Sequence, residues 1–132
     1  MLRAVIDTNV VVSGQQQRGK NMDEKLKSIM QIIIQELEGN IAPQRIILFG
    51  SRGTGSADDY SDLDLLIIAP SQDRPLDRRL KVRRLLREFD QAIGLDILFY
   101  TPEEADLLIK EPSSFLSQIM AHGITVYDKE NP

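Results

Sequence analysis

Residues 48 to 67 read LFGSRGTGSADDYSDLDLLI. They open at the end of a short, nearly continuous apolar run, Gln44 to Phe49, which is predicted to be a strand that stops at Gly50-Ser51. Residues 51–61 are rich in Gly, Ser and Asp and read as a loop, or a loop leading into one helical turn. Asp62 to Ala69 is predicted as a second strand. Because side chains alternate along a strand, Asp62 and Asp64 point to one face, while Leu63, Leu65 and Ile67 point inward from the other. Two carboxylates held side by side repel each other unless a cation neutralises them. The chain has no cysteine and one histidine, so the ligands are oxygens, a set that suits Mg²⁺ or Mn²⁺ held together with substrate phosphates.

Working outward, a third carboxylate stands in a comparable place. Asp96 lies inside the apolar segment Leu95-Asp96-Ile97-Leu98-Phe99, where a buried charge is costly without a partner. A metal shared with Asp62 and Asp64 would supply one, and three carboxylates on neighbouring strands suit displacement at phosphorus. Upstream, Gly50, Gly53 and Gly55 allow close backbone approach to a phosphate, and Ser51 and Arg52 are candidate contacts to its oxygens. No Lys-Ser or Lys-Thr follows at the spacing of a P-loop.

Helices are expected to alternate with these strands. Asn21 and Glu24 make a capping-box-like start, and Met22, Leu26, Ile29, Met30, Ile33 and Leu37 recur at helical spacing up to Gly39-Asn40. Ser71 or Asp73 is expected to cap a helix from Pro75 to Ile93. Its buried stripe reads Leu76, Leu80, Leu85, Leu86, Phe89 and Ile93, and Gly94 ends it. Leu95 to Tyr100 reads as a third strand. Thr101 to Glu104 repeats the capping-box pattern, a further helix spans about Ser113 to Ala121, and Ile124 to Tyr127 is a last strand. The expected fold is α/β (α+β): a small mixed sheet with helices packed on one side.

Composition limits the remaining choices. With 132 residues the chain is sized for one domain, and its net charge of −4 argues against a protein held to nucleic acid by bulk charge. Direct nucleic-acid binding is therefore not expected. No apolar run reaches the roughly 18–20 residues that cross a bilayer, and no signal-peptide pattern opens the chain, so a soluble cytoplasmic protein is the expectation.

Gly50-Ser51, ten intervening residues and then Asp62-Leu63-Asp64 resemble the signature of the DNA polymerase β-like nucleotidyltransferases, and within them the minimal group. The resemblance covers roughly residues 22 to 128. It implies nucleotide binding by Gly50, Ser51, Arg52 and Ser61, metal binding by Asp62, Asp64 and Asp96, and ATP as substrate with Mg²⁺. It also implies that Asp96 assists deprotonation of an acceptor hydroxyl. Minimal enzymes of this size are often paired with an all-helical HEPN toxin, to whose tyrosine AMP is transferred, and a homo-oligomer fits as well. Two alternatives stand beside this reading. One is a non-catalytic antitoxin that acts by binding, and the other is a transferase acting on a small molecule such as an aminoglycoside.

Residues 1–14 resemble the first strand of PIN-domain ribonucleases, with Asp7 at the metal-binding position. Such a fold needs several more acidic residues spread over a full domain, and the rest of the chain follows another pattern, so residues 1–20 read as a PIN-like extension or linker, or an added edge strand, before a domain at 21–132. The arginines and lysine between Arg78 and Arg87 read first as a solvated helix face, with docking of an acidic partner or RNA as the sharper reading. His122 beside Gly123 reads as a helix-end residue favoured by the negative pole.

Overall fold

The computed structural model describes residues 24–50 and 62–131. In chain order these form α1 (Glu24–Ile41), β1 (Arg45–Phe49), β2 (Leu63–Ile68), α2 (Pro75–Leu85), α3 (Arg87–Ile93), β3 (Leu95–Tyr100), α4 (Pro102–Ile109), α5 (Phe115–His122) and β4 (Ile124–Asp128). The sheet order is β3-β2-β1-β4. β1 runs antiparallel to β2 and to β4, whereas β2 and β3 are parallel, joined through α2 and α3. The sheet is mixed, as expected. The N-terminal extension and the Asn21 cap lie outside the described residues.

Helices cover both faces of this sheet, not one. On the first face, Leu26, Met30 and Ile33 of α1 join Leu48, Leu65 and Ile97 of the strands in one buried cluster. On the second, Ile47, Leu66 and Ile68 pack with Ala105 of α4 and with Leu116 and Ile119 of α5. The physical reason was present in the strands. β2 carries Leu65, Leu66, Ile67 and Ile68 without a break, and all four are buried. A strand wet on one side would alternate polar and apolar residues there.

The helix after β2 also differs from expectation. It breaks at Leu86 into α2 and α3, and its N-cap is Arg74, with no side chain bonded to the helix start; the Ser71 hydroxyl instead accepts from Asp73 N–H at 3.0 Å. Leu76 and Leu80 are exposed, and the inward positions are Arg78, Val82 and Leu86, spaced four apart. Arg78, expected on the solvated face, is 5% exposed. Its guanidinium donates to Glu104 Oε1 at 2.7 Å and Oε2 at 2.9 Å, and to the Phe99 carbonyl at 3.2 Å. Glu104 also closes the predicted capping box with Thr101. One carboxylate thus ties α2, the end of β3 and the start of α4 together, at the end of β3 opposite Asp96.

Candidate active site

β1 ends, and β2 and β3 begin, at one edge of the sheet. There Asp64 is the register partner of Phe49 on one side and of Asp96 on the other. Asp64 follows the alternation of Leu66 and Ile68, so its carboxylate stands on the face covered by α4 and α5.

Two glycines shape this corner. Gly50 follows β1 with φ +73°, and a Cβ built there would overlap the Asp64 carboxylate. Gly94 precedes β3 with φ +79°, and a Cβ there would lie 2.6 Å from Asp62 Oδ1. Each carboxylate of the Asp-Leu-Asp motif therefore rests against bare main chain. The start of β3 is fixed by Leu95 N–H donating to Asp90 Oδ1 at 3.0 Å, and Leu63 N–H donates to the Gly94 carbonyl at 3.1 Å.

The electrostatics follow from the crowding. The Asp64 carboxyl is pushed above the usual value, first by burial, then by the charges of Asp96 and Asp62. Asp96 corrects one step of the sequence argument. It is exposed, because β3 is an edge strand whose inward residues are Leu95, Ile97 and Phe99. The desolvated carboxylate is Asp64, half-buried between its neighbours.

Whether this donor set fits a metal can be judged from its chemistry. Among the described residues no three His, Cys, Asp or Glu side chains close into a cage that would hold an ion unaided. The carboxylates offer oxygens only, and Asp64 carries repulsion that a cation would relieve. Mg²⁺ takes one or two carboxylates and completes its shell with water and substrate phosphates, so the set fits a cation that arrives with a triphosphate. Ser51, Arg52 and Ser61 lie outside the described residues.

Depressions of 420 and 540 Å³ lie beside Arg45 and Asp128, and beside Asn40 and Arg78, away from the carboxylates. Sequence reasoning passed over Gly94 as a helix stop, though a glycine before a strand that pairs with the motif strand was the signal. It also passed over Phe49 and Phe115. Their rings meet edge to face, with centroids 5.9 Å apart and planes at 85°, and Phe49 is the strand partner of Asp64.

The mixed sheet brings a strand ended by Gly50, the Asp-x-Asp strand and a third aspartate to one edge. The chain belongs to the polymerase β nucleotidyltransferase family, whose sequence profile matches residues 31–132. It is similar to a proposed protein adenylyltransferase of Methanocaldococcus jannaschii, 34% identical over 114 residues, 83% of this chain and 78% of that one. A crystal structure of a proposed nucleotidyltransferase from Sulfolobus solfataricus has the same fold, with a TM-score of 0.50 and 20% identity. That match covers 92% of this chain and 89% of that one. A chain from the complex of the tri-AMPylated HEPN toxin of Shewanella oneidensis with its MNT antitoxin is 22% identical, with a TM-score of 0.47. That match covers 82% and 75% of the two chains.

No described helix is long and apolar enough to cross a membrane. The protein is a nucleotidyltransferase.

Proposed function

We propose that this enzyme transfers AMP from Mg²⁺-bound ATP to a hydroxyl of another protein, a tyrosine of a HEPN ribonuclease toxin, and so acts as its antitoxin in the cytoplasm. The observation that carries the reading is the side-by-side placement of Asp64 and Asp96, with Gly50 against Asp64. Protein as acceptor is favoured by the relative named for adenylyl transfer to protein, and the HEPN toxin by the resemblance to the minimal group. Residues 21–132 are taken as the catalytic domain and residues 1–20 as an extension.

In the proposed reaction an acceptor oxygen bonds to the α-phosphorus, the bond from that phosphorus to the bridging oxygen breaks, and pyrophosphate leaves. Asp62, Asp64 and Asp96 would hold the divalent cation, whose charge, when bound, stabilises the transferring phosphate and the leaving group. Gly50 and Ser51 would cradle the outer phosphates with main-chain N–H groups and the serine hydroxyl, aided by Arg52 and Ser61. Asp96, exposed at the sheet edge, would take the proton of the attacking hydroxyl. Rate comes mainly from positioning reactants that would otherwise meet at random.

Label transfer from α-labelled ATP into host lysate tests this. One protein band labelled by wild type and not by the Asp62→Asn/Asp64→Asn variant is expected. Absence of labelling, with firm retention of a helical protein by both forms, would leave an antitoxin that works by binding alone.

A further inference from the structure

We infer that Phe115 is the surface on which the base of the nucleoside triphosphate stacks, an inference that rests on the nucleotidyltransferase reading of this same site. Phe115 is the first residue of α5 and is 62% exposed, whereas Leu116 and Ile119 of that helix are buried in the core. It is the one aromatic among the exposed large hydrophobic residues of the described part. Core packing therefore does not account for it.

Its position is fixed by its neighbour. The ring meets Phe49 edge to face, and Phe49 stands directly opposite Asp64 across β1 and β2. Neighbouring strands lie about 4.8 Å apart, so Phe49 sits one strand away from the central carboxylate, with the Phe115 ring against it. Across the sheet the order is Phe49 on β1, Asp64 on β2 and Asp96 on β3. In the reaction proposed above the attacking hydroxyl comes from the side of Asp96, which leaves the side of β1 for the donor nucleotide. That side is where Gly50 ends β1 and where Phe115 presents its ring.

A flat apolar ring beside a phosphate site holds a base by stacking, which tolerates any base because each has a π-face. Phe115 therefore contributes affinity for the nucleoside without selecting adenine over guanine.

The test compares wild type, Phe115→Ala, Phe115→Trp and Leu107→Ala, the last an exposed control on α4 that is 67% exposed. Binding of a non-hydrolysable ATP analogue and of inorganic tripolyphosphate is measured by calorimetry with Mg²⁺. Phe115→Ala is expected to weaken the ATP analogue roughly ten-fold while leaving tripolyphosphate unchanged. Phe115→Trp should restore affinity, and Leu107→Ala should match wild type. Equal loss for both ligands would overturn the proposal, since the defect would then lie in the phosphate site. Unchanged analogue binding with lost labelling of a protein acceptor would also overturn it and give Phe115 to partner docking. If wild type itself binds no ATP analogue, the nucleotidyltransferase reading falls too; if it binds and the alanine variant binds equally, only the stacking proposal falls.

Discussion

Asp64 of β2 and Asp96 of β3 are direct partners across a parallel strand pair, on the same face of the sheet. Like charges in that relation weaken the pairing. Here the cost is raised by the partial burial of Asp64 and by Asp62 two residues upstream. Nothing in the fold requires a carboxylate at 64, since an apolar residue there would extend the buried run Leu65 to Ile68. A local rule broken where three strands end is expected of a functional site, which agrees with the proposed role of these carboxylates.

Removing that charge should stabilise the metal-free protein. A carboxyl whose folded pKa is raised disfavours the fold wherever it is ionised, and the lost stability returns as pH falls through that pKa. At neutral pH without divalent cation, Asp64→Asn should raise stability in urea by about 0.5 kcal/mol. The gap between variant and wild type should close toward about pH 4. Transfer should fall to background. A variant less stable than wild type at pH 7 would show that the charge is already compensated within the protein.

The two glycines make a separate case. Gly50→Ala must bear a Cβ at φ +73° and displace the Asp64 carboxylate. Gly94→Ala meets Asp62 in the same way. Each should cost about 1–3 kcal/mol in denaturation, from the left-handed backbone and the displaced neighbour. Gly39→Ala, in α1 with nothing near its Cβ position, should instead be neutral or mildly stabilising. A Gly50→Ala protein with wild-type stability and full activity would mean that Asp64 does not need its seat against the main chain.

Much of this was readable because the informative residues break a pattern. Asp62 and Asp64 interrupt an apolar strand, and Thr101 and Glu104 carry their own capping rule, so strand, site and cap could be placed from spacing. The inward face of α2 was missed because Arg78 lies on it and Leu76 and Leu80 do not. An arginine can be buried when a carboxylate and two carbonyls receive its donors, and two of those partners, Phe99 and Glu104, lie more than twenty residues further along the chain. The second helical layer was missed for a related reason. α4 and α5 are short, so their small apolar faces say little until the strands they cover are seen to be apolar on both sides.

Because Glu104 answers Arg78, its charge matters to stability. The Arg78 hydrogen bonds, with Thr101 assisting, hold the Glu104 carboxyl down to about 2 from 4.5. A depressed acid supports the fold above its unfolded pKa and loses that support as pH falls through the folded one. The Glu104 side chain is 39% exposed, so solvent screens part of the pair, and Glu104→Gln should cost about 1 kcal/mol at neutral pH, from leaving a buried guanidinium facing an amide. The difference from wild type should shrink below about pH 4.5 and vanish near 2. A difference independent of pH would assign the loss to the cap and not to the ion pair.

Asp96 should separate chemistry from folding most cleanly, because it is exposed on the edge strand. Asp96→Asn keeps the size and the strand position while removing the base proposed for the attacking hydroxyl. Stability should change by no more than about 0.5 kcal/mol, as for surface substitutions in general. The transfer rate should drop about 10²- to 10⁴-fold, the range of a lost general base. Affinity for the ATP analogue in Mg²⁺ should fall far less, since in the proposed site Asp62 and Asp64 would remain to hold the cation. Single-turnover labelling across pH distinguishes the roles. If Asp96 takes the proton, the variant rate should rise with pH as hydroxide substitutes for the missing base. If Asp96 served only as a metal ligand, raising Mg²⁺ or supplying Mn²⁺ would restore the rate at fixed pH, and the deprotonation role would be lost.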